Sequence, residues 1–183
     1  MGGELTLAHY YTGENRLLRS ITSLEREESF RLAREIHDRN GGASTRRFGD
    51  DYNGYYEHRL RAEKWLREEI LRLPLEPQSR FPLYFVLGRS DMLKRWFGAE
   101  EAIVIPLSAI SPKVVSFTYG DSMSRLGKPE MRAPFTVWEL HKKLETAGGL
   151  DAFLEEIREV YTYIEAQVWL GEIPEKIING GIK

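Results

Sequence analysis

The chain has 183 residues, no cysteine and a formal net charge of −2. That length suits one domain with its own hydrophobic core. The missing cysteines exclude disulfides, thiolate metal sites and a cysteine nucleophile. The charge balance excludes a general polycation, so any nucleic-acid contact must be local. The first residues lack a basic-then-apolar leader, and no apolar run approaches the ~18 residues of a spanning helix. A cytoplasmic protein without membrane contact is the expectation.

In chain order, residues 5–12 (Leu-Thr-Leu-Ala-His9-Tyr10-Tyr11-Thr12) read as a short strand by alternation and aromatic content. Asn15 is placed to cap a short helix with Leu17, Leu18 and Ile21. Ser23 is placed to cap another over about 24–39, which Asn40-Gly41-Gly42 would end. Residues 40–55 read as a long loop rich in Gly, Arg, Asp and Tyr, and loops of that length are usually functional or mobile. A helix follows over about 56–72, stopped by Pro74 and Pro77. Together these helices form an insertion over about 24–73, between the first strand and the main sheet.

From Pro82 the pattern turns to strands. Leu83–Leu87 reads as buried. Ser90 to Gly98 brackets a short helix, and Ala102–Ile105 and Lys113–Tyr119 follow as strands. Residues 120–134 form a second polar loop. Thr136 with Glu139 makes a capping box, and Phe135 with Leu140 a hydrophobic staple. A helix from Asp151 to about Tyr161 leads into Tyr161-Thr-Tyr-Ile-Glu165-Ala-Gln167-Val-Trp169. Read alone, that last segment is either an edge strand with a solvated polar face or a buried strand with polar work to do. The fold class is α+β, a single domain with a mixed or antiparallel β core and helices inserted after the first strand.

Dinucleotide, P-loop and nucleophile-elbow patterns are absent. The four histidines lack metal-ligand spacing, so no metal site is expected. His37 and His58 read as surface residues and His141 as packed. Three polar groups on separate strands remain: His9, the pair Ser116/Thr118, and Glu165 with Gln167. Ser116 and Thr118 share one face of their strand, with Tyr119 on the other. The solvated face of an antiparallel strand is their plainer reading. If the strands are neighbours, a cleft would hold an imidazole, two hydroxyls and a carboxylate. Such a set can stabilise positive charge at a sugar carbon during glycosyl transfer. In the loop over 40–55, Arg46 and Arg47 can clamp a pyrophosphate, and its tyrosines can stack on a base. Asp121 is the second acid that a carboxylate-based hydrolase would need near Glu165.

These segments resemble the ADP-ribosyltransferase superfamily, and within it the bacterial DNA-targeting toxins of DarT type. The resemblance lies in His9-Tyr10-Tyr11-Thr12 followed by Asn15, Leu17 and Ile21. It continues in Val115-Ser116-Phe117-Thr118 and in Ile164-Glu165-Ala166-Gln167-Val168-Trp169 before Ile173-Pro174. The resemblance implies NAD as co-substrate, with His9 binding its ribose or carboxamide. Ser116 and Thr118 would shape the nicotinamide pocket, and Tyr10, Tyr11 or Tyr119 would stack on the ring. Glu165 would be the catalytic carboxylate. A second alignment lays the family's catalytic position on Gln167 and leaves Glu165 two residues before it. The implied partners are a macromolecular acceptor, nucleic acid or protein, and for a toxin an antitoxin. The other reading is a non-catalytic interaction module.

Overall fold

The computed structural model describes residues 3–11, 18–40, 48, 49, 51–99 and 102–180. Its strands are β1 (Thr6–Tyr10), β2 (Leu83–Leu87), β3 (Ala102–Pro106), β4 (Val115–Tyr119), β5 (Phe135–Thr136) and β6 (Ile164–Val168). They form one six-stranded sheet in the order β3-β1-β2-β6-β4-β5, antiparallel throughout. Helices α1 (Arg26–Asn40) and α2 (Tyr52–Ile70) fall between β1 and β2. They are followed by α3 (Asp91–Phe97), α4 (Ser122–Arg125), α5 (Val137–Ala147), α6 (Leu150–Ile157) and α7 (Glu175–Gly180). The fold is α+β. None of the described helices is long and apolar enough to cross a membrane.

Local chemistry sets several boundaries as the sequence predicts. The Thr136 hydroxyl accepts from the Glu139 N–H at 3.2 Å, and Glu139 Oε2 accepts from the Thr136 N–H at 2.8 Å. This reciprocal cap starts α5. Gly148, at φ 88°, ends it in a left-handed conformation that costs other residues steric strain. Ser90 likewise accepts from Leu93 N–H to start α3.

Two helix starts differ. Ser23 does not cap α1, because its hydroxyl donates back to the Ser20 carbonyl at 2.6 Å, and the helix starts at Arg26. Helix α2 begins at Tyr52, inside the expected loop. The cause is tertiary: Tyr52 and Tyr56 bury against Phe30 of α1, with ring centroids 4.8 and 5.5 Å apart. Such packing overrides the cost of Gly54 in a helix, roughly 1 kcal/mol.

The register positions the site. Residues directly opposite across a ladder share a face. Ala8, Val86, Glu165 and Thr118 form one row across four strands, and Tyr84, Gln167, Ser116 and Thr136 the next. The opposite face carries Leu7, Phe85, Leu87, Ala166 and Phe117, which join the main core with Leu140 and Leu144 of α5 and Phe153 of α6. The β6 strand is therefore central, and all five of its residues are buried. The edge-strand reading of this segment is corrected. So is the solvated reading of Ser116 and Thr118, which are 0% and 2% exposed.

Candidate active site

A cavity of about 280 Å³ opens on the face that carries Glu165. The end of β1, strand β2, the tip of β6 and the turn Asp121–Met123 converge on it. Helix α2 adds Tyr55 and Arg59, and α3 adds Leu93, Trp96 and Phe97. The lining combines aromatic rings, two arginines, Arg59 half-buried and Arg19 exposed, and two acids.

Glu165 is the central group, 9% exposed. Its Oε1 accepts from the Ser122 hydroxyl at 2.6 Å, from Gln167 Nε2 at 2.9 Å and from the Ser122 N–H at 3.3 Å. Thr118 Oγ1 stands at 3.4 Å from the same oxygen. Its Oε2 has no hydrogen-bond partner among the described residues and is not sealed from solvent. One oxygen is anchored and the other is open to a ligand. Burial pushes the carboxyl up to about 7, and the nearby Asp121 charge adds to this. The Ser122 and Gln167 hydrogen bonds pull the other way, because they favour the ionised form. Near pH 7 the group is thus divided between acid and carboxylate.

Behind Glu165 lies a satisfied polar row. Trp169 Nε1 donates to Ser116 Oγ at 2.9 Å, and Ser116 donates to Gln167 Oε1 at 2.9 Å. Gln167 Nε2 donates to Thr118 Oγ1 at 2.8 Å as well as to Glu165. Each group gives or receives what its chemistry allows, so the row fixes the Glu165 rotamer from below. Gln167 is 0% exposed and does not line the cavity. Of the two residues that the alignments place at the catalytic position, only Glu165 reaches it.

His9 belongs to the other face by alternation, paired with Ile103. The β1–β2 ladder stops at Ala8 and Val86, and there the His9 Nδ1–H donates to the Tyr84 carbonyl at 2.9 Å. Its ring packs at 5.6 Å from Phe85 and reaches the cavity where the two strands part. Burial lowers its pKa, Tyr84 opposes this and the Arg59 charge adds to it. The imidazole is neutral. Because a carbonyl only accepts, its Nδ1 holds the proton and Nε2 keeps its lone pair.

Arg59 lies over the Tyr84 ring, 4.6 Å from its centroid. It donates to Tyr55 Oη at 2.8 Å and to Glu63 Oε1 at 3.1 Å. Burial works against its charge, but Tyr55 and Glu63 outweigh it and hold the pKa well above the usual value. Glu63 is 1% exposed and its Oε2 has no hydrogen-bond partner among the described residues. Tyr84 and Tyr163 are held neutral, first by burial and then by nearby carboxylates.

The predicted site residues thus separate into groups. His9, Tyr10, Tyr11 and Glu165 line the cavity, with Asp121. The Tyr10 hydroxyl is already committed, accepting from the Ser90 N–H at 2.7 Å. Ser116, Thr118 and Gln167 support Glu165 from behind rather than meeting a ligand. Tyr119 is placed elsewhere: it projects from the opposite face of β4 and lines a different cavity. Thr12, Arg46 and Arg47 lie outside the described residues, as do Asn15 and Leu17. His37 and His58 are half-buried rather than surface groups, with His58 Nε2 donating to the Met123 carbonyl at 2.8 Å, and His141 is exposed. Sequence reasoning missed Ser122 and Glu63. An Arg–Glu pair at i,i+4 on an inward helix face was the available signal for Glu63. Nothing local marks Ser122. Comparison with protein-family models, with curated proteins and with solved structures returns no match.

Proposed function

We propose that the chain is an NAD-dependent ADP-ribosyltransferase that works at Glu165. One observation carries this reading: a buried carboxylate presents a single free oxygen to an aromatic-lined cavity that also holds a half-buried arginine. The lining fits the co-substrate by class. Aromatic rings suit a planar nicotinamide, Arg59 suits an anionic phosphate, and the carboxylate suits a sugar that becomes cationic. In the reaction, the bond between the ribose anomeric carbon and the nicotinamide nitrogen breaks. Its electron pair stays with nicotinamide, which leaves neutral. Positive charge grows on the sugar, and ionised Glu165 stabilises it. The acceptor then bonds to that carbon and loses its proton. The acceptor is a macromolecule, nucleic acid or protein.

A second reading rests on Asp121, whose charge is felt at Glu165. Two acids in one cavity also suit hydrolysis of the same glycosidic bond, with water as acceptor. Incubation of the protein with labelled NAD, total nucleic acid and total protein tests both, beside Glu165→Ala. Label on one polymer class, lost in the variant, supports the transferase. Nicotinamide release without polymer label selects the hydrolase. Neither product from folded protein overturns both and leaves the non-catalytic interaction module.

A further inference from the structure

On the opposite face of the sheet lies a second cavity, of about 420 Å³, between the end of β4, α5 and α6. Phe153, Tyr119 and Tyr161 supply aromatic walls, and Arg132, Lys142 and Lys143 supply cations. The Arg132 guanidinium sits 5.0 Å from the Tyr119 ring centroid and 5.5 Å from that of Tyr161. Lys143 Nζ sits 5.7 Å from the Tyr119 centroid and 5.3 Å from that of Phe135. The rings hold the cations in place through their faces.

None of these three cations has an ion pair or hydrogen bond among the described residues, although several other arginines and lysines have a carboxylate within 4.0 Å. Glu156 is the acid in the lining, and it pairs with none of them. Three like charges are therefore gathered around one concave, ring-walled space with their N–H donors unspent. Each donor set suits an oxyanion: a planar fork from Arg132 and two point charges from the lysines. The walls suit a flat or apolar body attached to that anion.

We infer that this cleft binds a nucleotide-type phosphate ester, its phosphate among Arg132, Lys142 and Lys143 and its ring against Tyr119, the half-buried ring of the wall. A free mononucleotide or the phosphorylated end of a strand would present the same chemistry. The site stands apart from the NAD reading, since the sheet separates it from Glu165.

The test is a titration followed by amide and aromatic NMR shifts, using adenosine monophosphate, adenosine and a 5′-phosphorylated tetranucleotide. Shifts should gather at Tyr119, Phe153 and Tyr161, with the monophosphate binding at least tenfold more tightly than adenosine. Raising salt should weaken it. Arg132→Glu with Lys143→Glu should lower affinity at least tenfold, while Glu165→Ala leaves it unchanged. Both reversed positions lie at or near the surface, and the thermal midpoint checks the fold. A tighter tetranucleotide identifies a strand end, and a weaker or equal one a free nucleotide. Equal binding of adenosine, no shifts in this cleft, or indifference to the charge reversal overturns the proposal.

Discussion

Replacing Ser122 by Ala isolates the strongest single contact to Glu165. The hydroxyl donates to Oε1 at 2.6 Å, and Ser122 is 3% exposed, so water does not readily take its place. A hydrogen bond to a charged group contributes about 1.5–3 kcal/mol. One pKa unit corresponds to about 1.4 kcal/mol. Because the hydroxyl favours the ionised form, its loss should raise the Glu165 midpoint from about 7 by roughly 1–2 units. Carbon-13 labelling of glutamate carboxyls and an NMR titration read the midpoint directly, with no assumption about substrate. Any activity should show its acid limb displaced upward by the same interval, and Ser122→Thr should restore it. A midpoint within about 0.3 of the parent, or one that falls, would refute the hydrogen-bond argument.

Glu165→Gln should stabilise the fold above neutral pH. The native state holds the proton more tightly than the unfolded chain, so the penalty is absent below pH 4.5, builds up towards 7 and is complete above it. The gap from 4.5 to about 7 corresponds to about 3 kcal/mol, seen as a larger gain in thermal midpoint at pH 8 than at pH 4. His9 should show nitrogen-15 shifts of the Nδ1–H tautomer and stay neutral at pH 6.5. Since its folded pKa is depressed, its contribution to stability is whole above pH 6.5 and declines as pH falls below it. An imidazolium signal at that pH would contradict the geometry. Gln167→Leu removes the donor to Thr118 and Glu165 and the acceptor of Ser116. Urea unfolding should show a loss of about 2–4 kcal/mol, since buried groups left unpaired cost about 1–3 kcal/mol each.

Elements carried by local chemistry were legible in the sequence. The Thr136–Glu139 cap and the Ser90–Gly98 helix depend on residues three or four apart, and both appear as read. Alternation also showed that Glu165 and Gln167 share a face. It did not show that this face is covered, because Tyr84 and Trp169 lie under Arg59 and Arg67 of α2, about 100 residues from β6 in the chain. Nor does alternation within one strand give the register between strands. The row Ala8–Val86–Glu165 puts His9 on the face opposite Glu165, and only the parting of β1 from β2 returns it to the cavity. The start of α2 was hidden for a similar reason: its first turn is held by contacts with Phe30 on another helix.

A buried carboxylate on a central strand of the sheet needs a reason to persist. An apolar residue of similar size at position 165 would pack beside Val86 and Thr118 without the desolvation penalty. Instead the chain surrounds Glu165 with Thr118, Ser122 and Gln167, with Ser116 behind Gln167, each of which itself had to be buried and partnered. Those partners satisfy only one of its two oxygens. The second oxygen has no hydrogen-bond partner among the described residues and faces the cavity, where it is not sealed from solvent. Burial and the Asp121 charge keep the group near its midpoint at neutral pH, and the open oxygen leaves it available to a ligand. Cost at one position, support from three neighbours and one unspent oxygen together make Glu165 the first residue at which to test for chemistry in this cavity.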